Sequence, residues 1–186
     1  HGLAGIPWIA ETVALSKQLL IVEETGVTAH FSQLTTKSSI DLIRWAKQRG
    51  LPVTCDVAMH QLHLTDDALI GFNALAYVLP PLRSNTDKKA LLEGLADGTI
   101  DAIVTDHSPH AQEEKDREYV YAPSGFPGLE TSLGIMRLLD RIAHALHGLD
   151  ELPSLRRRIR ERHVDDVARH LGDGLAALHR QLQGLR

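Results

Sequence analysis

The order of elements along this chain predicts an α/β protein with parallel strands, either a doubly wound sheet or a (β/α) barrel of TIM type. Three observations carry that prediction. Short apolar, β-branched runs alternate four times with runs at helical spacing, an order that calls for right-handed crossovers between parallel strands. Glycines stand where the helical runs stop, at Gly26, Gly50 and Gly98. The chemically capable side chains collect at the C-terminal end of the strands: Gln33, His60, the Leu79-Pro80-Pro81 corner and Asp106. In a barrel those ends share one face, the face that carries active sites.

The elements follow in order. Trp8 to about Glu24 places Ile9, Val13, Leu15, Leu19, Leu20 and Val22 near helical spacing. Val27 to Phe31 reads as a strand, tipped by Ser32-Gln33-Leu34-Thr35-Thr36, and a helix follows from about Ser38 to Gln48. Pro52 to Val57 is the second strand, tipped by Met59-His60-Gln61-Leu62-His63. Ala74 to Leu79 reads as a third strand, ended by two prolines. Ser84 and Asp87 have the spacing of a capping box before a helix from Lys88 to Ala96. Ile100 to Thr105 is the fourth strand and runs straight into Asp106-His107-Ser108-Pro109-His110. After a long loop, helical spacing resumes near Leu129.

Composition narrows the function classes. The 186 residues are 43% hydrophobic and 24% charged, enough chain for one domain with a real core. A net charge of -4 makes no general case for nucleic acid or an anionic membrane surface. The single cysteine, Cys55, excludes an internal disulfide and a cysteine-rich zinc site. No apolar run approaches the roughly 18 residues of a membrane span, and no signal peptide is visible, so a cytoplasmic setting is the expectation.

His60 and Asp106 come from different strand tips, and a His-Asp pair suits a divalent ion such as zinc with water in an open position. Two ligands are fewer than the three protein donors that catalytic zinc usually takes. The competing reading makes His60 a loop packing residue and Asp106 a turn cap. Gln33 is a poor third ligand, and His63 reads as solvated. His30, alternating with Phe31 inside a strand, reads as a satisfied packing residue. Ser32 and Cys55 have no recognisable base partner, which argues against nucleophilic catalysis.

Taken together, these stretches resemble the second half of a dihydroorotase, of the amidohydrolase superfamily. The resemblance runs from about Gly2 to Leu139, through His30-Phe31-Ser32-Gln33, Pro52 to Val57, Pro80-Pro81-Leu82-Arg83-Ser84, Gly98 to Ile103, Thr105 to His110, and Ala122-Pro123-Ser124-Gly125. It implies a zinc-dependent (β/α)8 hydrolase interconverting carbamoyl-aspartate and dihydroorotate in pyrimidine biosynthesis. On this chain it implies about four β/α units in residues 1–140. Asp106 would be metal ligand and proton carrier, His60 a metal ligand at the sixth strand, and His110, Ala122 and Gly125 substrate contacts. Departures are as informative. The family's first-strand His-x-His motif is absent from these residues. Gln33 stands where a histidine ligand is expected, Met59 for a proline, Gln61 for a second histidine, and Leu79 for an asparagine. The resemblance therefore also reaches the non-catalytic dihydroorotase-like subunits that bind aspartate transcarbamoylase. A chain of this kind is expected to have little activity alone, and its open sheet edges favour homo-oligomers.

Residues 141–186 leave the pattern. Glu151 to Arg186 holds eight Lys and Arg against five Asp and Glu, a charge of +3 against -7 for the rest. Two apolar stripes there read as a helical tail, and its interleaved acids argue against nucleic acid.

Overall fold

A computed structural model describes residues 5–129, 131, 132, 134 and 135. Residues 141–186, the expected helical tail, lie outside the described residues. Helix α1 (Trp8–Thr25) leads to strand β1 (Ala29–Phe31), helix α2 (Lys37–Gln48) and strand β2 (Val53–Ala58). A run of 3-10 turns then precedes helix α3 (Asn85–Ala96), strand β3 (Ala102–Val104) and the short helix α4 (Gln112–Lys115). Helical structure resumes at Leu129.

Local chemistry explains the boundaries. The α1 helix ends at Gly26, whose φ of 68° is a conformation glycine adopts freely, with its N–H donating to Val22 O at 2.8 Å. The Thr36 hydroxyl accepts from Ser39 N to start α2. Both halves of the Ser84/Asp87 capping box form at the start of α3.

The described strands form one parallel sheet in the order β1-β2-β3. Ala29 stands opposite Val53, and Asp56 opposite Ala102. Strand alternation gives the sheet two unlike faces. Val53, Cys55 and Val57 of β2 pack with Ile40, Ile43 and Ala46 of α2, with Leu15, Leu19 and Val22 of α1, and with Leu91 and Ile100. Thr54 and Asp56 stand on the other face, as does His30 of β1 by its partnering with both. Burial also pushes the Cys55 thiol up to about 12, so it stays protonated and inert.

The expected third strand is a correction. Ala74–Ala76 is a 3-10 turn, started by the Asn73 side chain accepting from Leu75 N. Its apolar residues are spent otherwise: Ala76, Val78 and Leu82 form a second small core with Leu64, Leu69 and Phe126. Because β2 pairs directly with β3, no further strand fits between them. The described chain thus has three strands, not four, and the closed barrel is not formed by them. No helix among the described residues is long and apolar enough to cross a membrane.

The core reading predicts a contrast in urea denaturation. Ile43→Ala, at a fully buried position, is expected to lower stability by about 2–5 kcal/mol. Leu20→Ala, at a side chain 61% exposed, is expected to stay within about 0.5 kcal/mol.

Candidate active site

The site is built from the tips of three strands, and its anchor is a buried carboxylate inside β2. Asp56 is only 4% exposed, so its charge needs donors. It receives three: Gln33 N–H to Oδ1 at 2.6 Å, Ser32 Oγ–H to Oδ2 at 2.8 Å, and His30 Nε2–H to Oδ2 at 2.9 Å. The second nitrogen of His30 lies 2.7 Å from Thr54 Oγ1. These bonds fold the β1 tip back over β2 and hold Gln33 at a φ of 56°, in the left-handed region.

That turn aims the Gln33 side chain across the sheet. Its Nε2–H donates to Asp106 Oδ1 at 2.8 Å, joining the β1 and β3 tips across 73 residues of sequence. Asp106 also sits at positive φ, 48°. The loop beyond it is stitched back to the sheet. Ser108 N–H donates to Phe126 O at 3.2 Å, and the Gly128 and Leu129 amides both donate to His107 Nδ1 at 3.2 Å. At Gly128 a Cβ would run into the Thr105 carbonyl oxygen. Lys115 is 5% exposed and donates to Ala74 O at 3.1 Å and Pro123 O at 2.8 Å, tying this loop to the turn after β2.

His60 stands on a 3-10 turn directly after β2 and is 3% exposed. Neither ring nitrogen has a hydrogen-bond partner. Its ring meets Phe126 edge-on, with centroids 4.9 Å apart. Burial pushes its imidazole down to about 4, against the pull of the nearby Asp106 carboxylate and with a small addition from His63. Gln61, where a second histidine was expected, is 2% exposed and donates to the Pro80 and Pro81 carbonyls at 3.1 and 3.2 Å, so it serves the corner rather than the site.

The structure brings Asp106 together with Gln33, and leaves His60 near Asp106 without a bond to it. The expected substrate contacts are engaged by other groups of the chain. His110 Nε2–H donates to Ser124 O at 2.9 Å, Ala122 N–H to Glu118 O at 3.1 Å, and Gly125 N–H to Tyr77 O at 2.8 Å. Two participants escaped the reading of the sequence: Asp56, and His30, whose side chain is 48% exposed rather than packed. The signal was present in the alternation, since Thr54 and Asp56 share one face of β2 while Val53, Cys55 and Val57 share the other.

These residues do not fit the zinc that the resemblance implies. Among the described residues no three of His, Cys, Asp and Glu gather where they could hold an ion. Gln33, at the place where a histidine ligand is expected, presents an amide N–H donor to Asp106 Oδ1, and an N–H donor offers a cation no lone pair. No catalytic step through a metal is derived from this arrangement.

A parallel α/β sheet with acid, amide and imidazole groups at its strand tips is the architecture of part of an amidohydrolase barrel. Solved structures agree: D-hydantoinase from Thermus sp. matches with a TM-score of 0.67 at 26% identity, over 77% of this chain and 32% of that one. L-hydantoinase from Arthrobacter aurescens matches at 0.65 and 31% identity, over 70% and 30%. Within that class the curated relatives are dihydroorotases. The chain is 48% identical over 158 residues to the dihydroorotase-like protein of Pseudomonas aeruginosa, covering 85% of this chain and 36% of that protein. It is 52% identical over 135 residues to the dihydroorotase of Pelotomaculum thermopropionicum, covering 73% and 32%. This chain is therefore a homologue of dihydroorotases that spans about a third of their length. No protein-family profile matches it.

The buried imidazole gives a signed pH dependence. Its folded value, about 4, lies below the ordinary 6.5, so the unfolded chain binds the proton first as pH falls. Stability is expected to decline from about pH 6.5 down to about pH 4, with this group contributing about 3 kcal/mol. Urea titrations across that range, compared with His60→Asn, check it: the variant should lose most of that slope, and an unchanged slope would refute the assignment.

Proposed function

We propose that this chain is a dihydroorotase-type segment without hydrolase activity of its own. The parent chemistry is the opening of the dihydroorotate ring to carbamoyl-aspartate, a cyclic amide hydrolysis of pyrimidine biosynthesis in the cytoplasm. In that reaction a carboxylate at the position of Asp106 would carry the proton of the attacking water. His60 would be a metal ligand, and His110, Ala122 and Gly125 would face the substrate. The observation that carries the inactive reading is the Gln33–Asp106 hydrogen bond, in which an amide donor stands where a histidine ligand is expected. The engaged groups of His110 and Gly125 support the same reading.

The test is dihydroorotate ring opening with and without added zinc. The expected result is no turnover above background for the chain and for Asp106→Asn alike. Turnover by the chain that Asp106→Asn abolishes would overturn the proposal.

A second reading, a non-catalytic subunit that binds aspartate transcarbamoylase, rests on the departures at Gln33, Met59, Gln61 and Leu79 from the enzymes' pattern. It predicts that the two proteins co-sediment. Sedimentation of the chain alone as a stable monomer would count against self-association through its open sheet edges.

A further inference from the structure

Beyond the strand tips, two loops stand side by side, one over residues 66–77 and the other over residues 116–121 behind α4. Tyr119 joins them, its ring centroid 5.1 Å from that of Tyr77 and 6.3 Å from that of Phe72. Lys115 ties them again by donating to Ala74 O at 3.1 Å. Five large apolar side chains on these loops are at least half exposed: Ile70 65%, Phe72 50%, Leu75 65%, Val120 60% and Tyr121 71%. Single exposed apolar residues are ordinary, but a group of them marks an interaction surface. The flanking charge has one sign. Asp66, Asp67, Glu113, Glu114, Asp116 and Glu118 are all exposed, and residues 64–82 contain no lysine or arginine. Of the two bases in residues 111–122, Lys115 is 5% exposed and held by the Ala74 and Pro123 carbonyls, which leaves Arg117 to oppose six acids.

We propose that these loops dock a basic amphipathic segment of a partner protein, one that carries arginines among aliphatic side chains. The exposed apolar side chains would cover the aliphatic ones, and the flanking carboxylates would pair with the guanidinium groups through charge-assisted hydrogen bonds. Tyrosine faces add a second site for a guanidinium, which stacks on aromatic rings. The same acids argue against other occupants. A nucleic acid or an anionic membrane would meet charge of its own sign. A second copy of this chain, pairing this surface with itself about a two-fold axis, would set like charges against one another. Neither the Gln33–Asp106 pair nor the donors to Asp56 take part, so the proposal stands apart from the question of hydrolase activity.

The probe is an end-labelled synthetic peptide of repeated Arg-Leu-Leu-Arg units, titrated with the full chain and followed by fluorescence anisotropy. Saturable binding is expected, with no comparable binding of a Glu-Leu-Leu-Glu peptide. Val120→Ser with Tyr121→Ser removes exposed apolar surface and is expected to weaken binding about tenfold. Asp116→Lys with Glu118→Lys is expected to weaken it about tenfold at roughly 0.1 M salt and less at roughly 1 M, where exposed charges are screened. All four positions lie on the surface, or nearly so, and none is a core residue. Leu20→Ser with Glu24→Lys makes matching changes on the exposed side of α1 and is expected to leave binding unchanged. The proposal is overturned by the absence of saturable binding, or by equal binding of the two peptides. It is overturned as well if either loop pair leaves binding unchanged, or if the α1 pair weakens it as much.

Discussion

The strand-tip region depends on one buried carboxylate. Asp56 lies inside a strand, in a position where an unsatisfied charge would be ruinous, and its neighbours are arranged around that need. Three donors from the β1 tip converge on it within 2.9 Å. The consequence is geometric as much as energetic. Satisfying Asp56 requires the β1 tip to bend back, and the bend puts Gln33 in a left-handed conformation that costs a non-glycine residue about 1–2 kcal/mol. Charge-assisted hydrogen bonds of this kind are strong enough to hold it there.

Much of this architecture is legible in the sequence, and the reasons differ element by element. Helices α1, α2 and α3 announce themselves through apolar spacing, glycine stops and the Ser84/Asp87 box, all of which are local. Strands β1, β2 and β3 are legible because β-branched runs end in polar tips. Ala74 to Leu79 defeats the same logic. A short apolar run serves a strand or a packed turn equally well, and what decides is remote: β2 pairs directly with β3, while Asn73 closes a turn and Phe126 supplies apolar cover. The Gln33–Asp106 bond is illegible for a related reason, since only the assembled sheet brings residues 73 positions apart into contact. His30 was within reach. Its place on the same face as Thr54 and Asp56 follows from strand alternation, but reading it needs the register between strands as well.

The motif after β3 is held in place by the demands of its own loop. Asp106 stays at the strand tip, at a φ of 48°, and the loop beyond it is closed by backbone and side-chain bonds through His107, Ser108, His110 and Lys115. Gly128 is required by the closeness of the Thr105 carbonyl and Gly125 by its φ of 113°. These demands belong to loop closure and hold whether or not a substrate ever arrives. Gln61 makes the same point on the other side of the site, since its amide secures the Pro80-Pro81 corner.

A carboxylate at a strand tip has to be solvated or bonded whatever its role. Gln33 resolves this within the chain. Its amide N–H supplies a neutral donor at 2.8 Å, and Asp56 fixes the turn from which that amide reaches. The two acids are thereby coupled through one residue: the backbone N–H of Gln33 answers Asp56 and its side chain answers Asp106. Such an arrangement keeps the three strand tips in register by hydrogen bonding alone. It accounts for a well-formed acid at the tip of β3 among described residues that gather no metal site.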